Sequence, residues 1–219
     1  MEKSKFNVNS DGFFRQNIVL MSGLVTAPII AAATTAVRTL VLVMSFFMFS
    51  YSSILLCRFI PRKLAYSIRI LLYAVVAGGM NIPTAYLMNM LFPEVFAAVR
   101  LYVGILTVNS LLLAKTETRF FLKRYGEMAV DALIYIAGFA SAAFSVGLIR
   151  ELLAYGTLFG FRLFDPVVPA AKSPFFGFIL VGIFAALCRV IVGKRAVMKK
   201  RPREHERFRF ALELNDEDV

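Results

Sequence analysis

The ionisable side chains of this chain lie at the edges of its apolar stretches rather than in their centres. Asp131 stands near the start of one such stretch, and Arg150 and Glu151 follow its end. Ionisable groups at membrane depth mark ion or proton pathways, or else they pair with one another or with backbone carbonyls. Because no Asp, Glu, His or Lys falls at the centre of a stretch, we do not expect the carboxylate relay of a proton pump.

Uncharged polar residues occupy the interiors of the stretches, among them Thr26, Asn81, Asn109 and Ser110. Such groups line an ion path in some membrane proteins, but hydrogen bonding to a neighbouring helix is their commoner use. Catalytic centres of the soluble type are not predicted. His205 is the only histidine and lies in a charged tail, and the sequence has no Gly-rich phosphate loop or metal-ligand cluster.

Six apolar stretches near membrane-spanning length must position these residues. They cover residues 18–37, 39–57, 64–92, 95–114, 128–149 and 174–193. A helical span needs about 20 mainly apolar residues. Hydrophobic residues make up 59% of the 219, and the mean hydropathy is +0.71. We therefore predict an all-α, multi-pass membrane protein, with one six-helix domain over residues 1–193 and a tail over residues 194–219.

Basic residues account for a net charge of +11 and concentrate in alternate gaps between the stretches. They lie between the second and third stretches, between the fourth and fifth, and after the sixth. The positive-inside rule then places both termini in the cytoplasm, as an even number of spans requires, in a cytoplasmic (inner) membrane. The basic residues form no single amphipathic face, so nucleic-acid binding is not expected.

A weak internal repeat links the first stretch with the fourth. Five residues around the first stretch recur at the same spacing around the fourth. Gly23, Thr26, Ala33, Thr35 and Arg38 correspond to Gly104, Thr107, Ala114, Thr116 and Arg119. Copies of about 16–92 and 95–193 hold three spans each, so the second copy is inverted. In such proteins broken helices meet near the midplane. We expect breaks at Pro28 and at residues 78–83, facing the bundle interior, with a lipid-facing proline kink as the alternative.

One run of sequence resembles a known family. It reads Gly-Leu-Ile-Arg-Glu-Leu-Leu-Ala-Tyr-Gly-Thr-Leu-Phe-Gly over residues 147–160, and other resembling positions are Gly23, Leu24, Pro28, Thr34, Thr35, Ile60, Pro61, Val108, Asn109, Ser110, Glu117 and Asp131. The chain is similar to the paired membrane subunits of the Rnf electron-transport complex and of the Na⁺-translocating NADH:quinone reductase (Nqr). Within that family it is more similar to the E-type member of Rnf and the D-type member of Nqr, over roughly residues 15–193.

The resemblance implies a homologous six-helix partner of opposite orientation, and flavin and iron–sulfur subunits in a larger complex. Family members have one cysteine before the Pro28 position and one after the Asn109 position. With the partner's pair, these hold an intramembrane 2Fe–2S cluster. The equivalent residues here are Ala27 and Ser110, neither of which supplies the thiolate that ligates such clusters. We therefore expect no cofactor in this chain.

We expect a divergent, non-catalytic membrane subunit of an Rnf/Nqr-type complex that supports electron transfer coupled to ion translocation. The candidate residues are Thr26, Pro28, Asn109, Asp131, Arg150, Glu151, Gly156, Thr157 and Gly160. Arg150 and Glu151 are predicted to be a structural pair, with ion translocation as the competing role. An inverted-repeat transporter or channel-like protein without redox function is the second hypothesis, and a scaffold that binds lipid and partners is the third.

Overall fold

The computed structural model describes Val19, residues 26–61 and 63–107, Thr116 and residues 124–190. This part of the chain is mostly helical. Its helices are α1 (Thr26–Ala32), α2 (Ala36–Cys57), α3 (Tyr66–Leu91), α4 (Pro93–Thr107), α5 (Tyr125–Tyr155) and α6 (Pro174–Val190). Among them α2, α3 and α5 are long and apolar enough to cross a membrane, by length and composition. The predicted tail, residues 194–219, lies outside the described residues.

Helix α2 is the centre of the described bundle, since it packs against α3, α4 and α5. Its 22 residues correspond to about 33 Å of helix, close to the roughly 30 Å hydrocarbon thickness of a bilayer. Phe46 of α2 packs on Phe139 of α5, with ring centroids 4.1 Å apart, and meets Phe49 edge-on at 5.8 Å. All three rings are fully buried.

A glycine sets the distance between α2 and α5. A Cβ atom added at Gly147 would lie 2.1 Å from Thr39 Oγ1 and 3.1 Å from Thr39 Cβ. Real carbon atoms do not approach so closely, so only glycine permits this crossing. Small residues at helix contacts are the usual means of close packing within membranes, where lipid supplies little driving force for helix association.

The predicted break in the third stretch is wrong, because α3 runs without interruption through Gly78, Gly79 and Pro83. Open space surrounds both glycines. Pro83 is exposed on the surface of the chain, so the alternative of an outward-facing proline describes it better than an interior break. Neighbouring residues and ordered water can satisfy the carbonyl that a proline frees, which lets such helices continue.

The first stretch is interrupted a few residues after Pro28, where the break was predicted. Pro28 is inside α1, and the chain leaves helical geometry at residues 33–35, which we call the α1–α2 break. Thr35 is the N-cap of α2: its backbone is extended and its hydroxyl accepts from the Arg38 N–H at 3.3 Å. Residues with short hydroxyl side chains are preferred at this position because they satisfy an otherwise unpaired N–H.

Helix α5 is longer than the fifth apolar stretch, which was predicted to end at residue 149. It has 31 residues and ends at Tyr155, so Arg150 and Glu151 lie inside it rather than beyond it. Gly156 ends the helix in the left-handed conformation (φ 64°), and its N–H donates to Leu152 O at 3.0 Å. A left-handed glycine directly after the last turn is a common helix stop.

A two-stranded hairpin follows α5. Strands β1 (Thr157–Leu158) and β2 (Phe161–Arg162) are antiparallel, and the two-residue turn between them contains Phe159 (φ 51°) and Gly160 (φ 85°). Positive φ at both positions is typical of the type I′ turn, whose twist matches that of a hairpin. A 3₁₀-helix, Pro169–Lys172, then leads into α6.

The inverted repeat stays a prediction. Its first and fourth stretches are described mainly over residues 26–37 and 95–107, and the positions that match between them lie partly outside these ranges.

Candidate functional site

The Arg150 guanidinium lies fully buried at the α1–α2 break. It donates to backbone carbonyls from two segments of the chain at 2.6–3.2 Å, those of Ile30, Ala33, Ala171, Lys172 and Ser173. An arginine has five N–H donors in a fixed planar fork. Five hydrogen bonds therefore correspond to the full donor capacity of this side chain.

These carbonyls belong to the C-terminal ends of two short helices, α1 and the 3₁₀-helix Pro169–Lys172. Helix C-termini leave carbonyl groups without intrahelical partners, and they carry partial negative charge. A cation is favoured there for both reasons. Arg150 thus joins α1, the 3₁₀-helix and α5 at one point through complementary charge and hydrogen bonding.

The Glu151 carboxylate accepts hydrogen bonds at the N-terminal end of α2, whereas Arg150 donates them at the C-terminal end of α1. Its Oε2 accepts the N–H of Ala36, the first residue of α2, at 2.5 Å. Its Oε1 accepts the Thr157 hydroxyl and the Gly160 N–H, both at 3.1 Å. A carboxylate at a helix N-terminus is favoured by the helix dipole and by the free N–H groups. The residue is 2% exposed, so these bonds replace water.

Arg150 and Glu151 were predicted to be a structural pair, and both are buried. Each has its own set of partners: Arg150 binds the C-terminal end of α1, and Glu151 binds the N-terminal end of α2. Neighbouring residues on a helix project about 100° apart, so they can reach two different segments. The α1–α2 break is therefore held on both sides by consecutive residues of α5.

Gly177 makes room for this arrangement. A Cβ atom there would lie 3.0 Å from Ile30 O and 3.3 Å from Arg150 Nη1. The absence of a side chain lets α6 pack directly over the hydrogen bond between Arg150 and α1. We call the set Arg150, Glu151 and Gly177, with the segment ends that they contact, the break-clamping site.

The break-clamping site positions helices and does not itself suggest acid–base or nucleophilic chemistry. Arg150 is an obligatory cation with its donors used, and Glu151 already accepts three hydrogen bonds. Among the described residues, no three His, Cys, Asp or Glu side chains are grouped as metal ligands would be. What the site can do is fix the direction and depth of α1.

The structure brings several of the predicted residues together. Thr157 and Gly160 contact Glu151 directly, and Gly156 provides the tight turn that returns the chain to it. A Cβ atom at Gly156 would lie 1.9 Å from Phe164 O, so this turn also requires glycine for steric reasons. The residues of the resembling run that follow Arg150 and Glu151 therefore fold back onto Glu151 as one local unit.

Other predicted residues lie apart from this unit or outside the description. Thr26 and Pro28 are in α1, whose C-terminal end Arg150 binds. Asp131 is buried in α5, and the 19 steps along the helix to Arg150 correspond to about 28 Å. Asn109 and Ser110 lie outside the described residues.

Sequence reasoning missed Gly177 and the carbonyl partners of Arg150. Gly177 carries no signal of its own, since a glycine in an apolar helix is common in membranes. The carbonyls are backbone groups and leave no trace in residue types. A buried arginine next to a glutamate indicated that partners were needed, but not that the backbone would supply them.

The family's iron–sulfur cluster does not fit the residues present in α1. Ala27, which the resemblance sets at the family's cysteine position, is exposed at the start of α1 and ends in a methyl group that cannot ligate iron. The chain's cysteines are Cys57 in α2, which is buried, and Cys188 in α6, which is half-buried. Neither is in α1.

We expect Glu151→Gln to lower the amount of folded protein. A carboxamide has one oxygen where the carboxylate uses two. Either the Ala36 N–H or the Thr157 hydroxyl and the Gly160 N–H therefore lose their acceptor. An unsatisfied buried polar group costs about 1–3 kcal/mol. The measurement is the thermal unfolding midpoint together with the amount recovered from membranes. Normal recovery and midpoint, with ion transport lost, would instead assign Glu151 to translocation.

The chain is similar to known membrane subunits. The sequence profile of the family described as Rnf-Nqr subunit, membrane protein, matches residues 5–187. The chain is 26% identical over 180 residues to the E subunit of the Na(+)-translocating ferredoxin:NAD(+) oxidoreductase complex of Acetobacterium woodii, covering 80% of this chain and 91% of that protein. It is 24% identical over 218 residues to the E subunit of the ion-translocating oxidoreductase complex of Rhodobacter capsulatus, covering 91% and 89%.

A third relative is the E subunit of the proton-translocating ferredoxin:NAD(+) oxidoreductase complex of Clostridium ljungdahlii, 23% identical over 192 residues, with 86% of this chain and 90% of that protein covered. These matches extend over nearly the whole of each relative. The family profile matches far more than half of this chain. The chain therefore belongs to the Rnf-Nqr family of membrane protein subunits.

Proposed function

We propose that this chain is the E-type membrane component of a complex that couples electron transfer to ion translocation. The observation that carries the proposal is the similarity to relatives named as the E subunits of such complexes, which extends over 80–91% of this chain. The protein is a non-catalytic component: it contributes a membrane scaffold, and other subunits contribute the flavin and iron–sulfur centres.

The break-clamping site supports this role because it fixes α1, the helix on which family members have a cluster cysteine. Arg150 binds the carbonyls of Ile30 and Ala33 at the C-terminal end of α1, and α6 packs over them at Gly177. A helix held at its end by charge and close packing keeps its depth in the bilayer. The scaffold is therefore retained here although Ala27 supplies no thiolate.

We further propose six spans in two inverted halves, with both termini in the cytoplasm and a homologous partner of opposite orientation. The alternation of basic gaps supports the orientation. Support also comes from α2, α3 and α5, which are long and apolar enough to be three of these spans. Helices α1, α4 and α6 lie largely within the other three apolar stretches.

Cysteine labelling tests this topology. A single cysteine in place of Asp165, which is exposed, is expected to react with a membrane-impermeant maleimide added outside intact cells. A cysteine in place of Lys199 is expected to react only after the membrane is opened, because the basic tail belongs to the cytoplasmic side. Labelling at position 199 from outside would contradict the orientation.

Iron analysis tests the assignment of Ala27. The chain purified alone is expected to contain no stoichiometric iron, since neither Ala27 nor Ser110 provides a thiolate. If the purified chain contains iron and the Cys57→Ser, Cys188→Ser double variant does not, this assignment is overturned. Those two cysteines would then be the iron ligands.

A transporter or channel-like protein without redox function is the second candidate. The observation that favours it is again Ala27, because a family member without cluster ligands retains only the fold. Purification of the tagged chain with its native partners distinguishes the two. A homologous six-helix protein together with flavin and iron in the purified complex would support electron transfer. A chain purified without either cofactor or redox partner would support the alternative.

A further inference from the structure

The hairpin after α5 presents large apolar side chains at its surface. Phe161 is 77% exposed and Phe159 is 46% exposed. Turns in contact with water generally carry polar residues and glycine, which the turn geometry itself favours. The hairpin has one charged pair, Arg162 with Asp165, and both members are largely exposed. Apolar rings therefore flank the turn, and the base of the hairpin carries this charged pair beside the exposed Leu163 and Phe164.

The backbone of the tip is also strained at Phe159, where another residue type would be unstrained. Phe159 has φ 51°, a region that costs a residue with a Cβ atom about 1–2 kcal/mol. Asparagine or glycine is the usual choice at this position of a type I′ turn. A bulky residue kept in a strained, exposed position suggests that its side chain contacts something other than this chain.

Hydrogen bonds to one carboxylate fix the depth of the tip. The Gly160 N–H donates to Glu151 Oε1 at 3.1 Å, and the Ala36 N–H donates to Oε2 of the same side chain at 2.5 Å. Ala36 begins α2, whose length matches the hydrocarbon thickness. The tip is therefore folded back to the level at which α2 enters the bilayer, instead of projecting into water.

The same level of the molecule carries two further aromatic rings, one exposed and one half-buried. Helix α6 begins next to Arg150, which binds the Ser173 carbonyl, and Phe175 in its first turn is 72% exposed. Tyr155, beneath the Lys172 ammonium at 4.5 Å from its ring centroid, ends α5. The hairpin and the first turn of α6 thus each carry an exposed phenylalanine near the residues that Arg150 and Glu151 bind. Phenylalanine side chains of interfacial segments are buried at the headgroup–acyl boundary.

From these observations we propose that the hairpin is a lipid anchor, with Phe159 and Phe161 inserted at the headgroup–acyl boundary of the bilayer. Phe161 and Phe159 flank Gly160, so both rings lie beside the point that Glu151 holds at the membrane boundary. Arg162 and Asp165 remain in water. The proposal concerns the membrane and is independent of electron transfer.

Tryptophan fluorescence tests the proposal directly, because the chain has no tryptophan. The full chain with Phe159→Trp or Phe161→Trp is reconstituted into phosphatidylcholine vesicles with or without bromine on the acyl chains. We expect brominated lipid to quench the indole at either position and aqueous iodide to quench it weakly. Asp165→Trp, in the same loop, is the matched control and is expected to show the reverse.

Quenching of the Phe159 and Phe161 variants by iodide and not by brominated lipid would overturn the proposal in favour of a water-exposed tip. Protection from both quenchers would overturn it in favour of coverage by protein, for instance a second copy. Phe161 lies in a strand with ordinary φ, so its variant keeps the test available if Phe159→Trp fails to fold. The thermal midpoint of each variant establishes which ones are folded.

Discussion

Replacing Arg150 with alanine is expected to remove most of the folded protein. The substitution leaves five carbonyls without their Arg150 donor, at the ends of α1 and the 3₁₀-helix. Three of these hydrogen bonds are buried and two are partly buried. An unsatisfied buried polar group costs about 1–3 kcal/mol, and water that enters the site will recover part of that cost. We therefore expect the free energy of unfolding to fall by about 3–5 kcal/mol, the loss typical of a broken buried ion pair. Domain stability is about 5–15 kcal/mol in total.

The measurement is the thermal midpoint of the detergent-purified chain, with its abundance in membranes. Arg150→Lys retains the charge but has three donors on a single nitrogen, so it is expected to fall between wild type and alanine. Arg162→Ala is the matched control. Its ion pair with Asp165 is solvent-exposed, and such pairs contribute about 0–1 kcal/mol. An Arg150→Ala chain as stable as Arg162→Ala would refute the break-clamping site.

Gly147→Ala is expected to have the second-largest effect. Its Cβ atom would be placed 2.1 Å from Thr39 Oγ1, so α5 must move away from α2 or Thr39 must leave its rotamer. Overpacking of this kind costs about 1–3 kcal/mol. Because the same two helices hold Glu151 against Ala36, the shift should also weaken that hydrogen bond.

A double variant separates this clash from a general effect of the substitution. Thr39→Ala removes the hydroxyl and methyl groups near the new Cβ, so Gly147→Ala with Thr39→Ala should recover most of the lost stability. Gly182→Ala is the control, since nothing lies within 4 Å of a Cβ there. It is expected to be neutral or stabilising by up to about 1 kcal/mol, from helix propensity. Equal midpoints for Gly147→Ala and Gly182→Ala would contradict the close contact.

The sequence was sufficient to predict a helical membrane protein and to identify the run that contains most of the break-clamping site. Hydrophobic length predicts helices because a bilayer requires every backbone group to bond internally. The run from Arg150 to Gly160 identified residues that the structure places together, because its glycines and hydroxyl are needed for one local turn.

Helix ends and breaks were predicted less well. Pro83 suggested a break, yet α3 continues through it, while the actual break at residues 33–35 contains no proline or glycine. What stabilises the break is distant in sequence: Arg150 and Glu151 bind segment ends more than a hundred residues away. Such long-range hydrogen bonds to the backbone depend on the tertiary fold, so residue types near the break do not reveal them.

The most direct test of the proposed function is electron transfer by membranes that lack this chain. Membranes from a deletion strain are compared with those from the strain carrying the wild-type gene or Arg150→Ala. The reaction measured is reduction of NAD⁺ by reduced ferredoxin, which is the reaction in the names of the relatives from Acetobacterium woodii and Clostridium ljungdahlii. We expect activity and the accompanying ion uptake to disappear on deletion, to return with wild type and to remain low with Arg150→Ala. Undiminished ferredoxin-dependent NAD⁺ reduction and ion uptake in the deletion membranes would contradict the proposal.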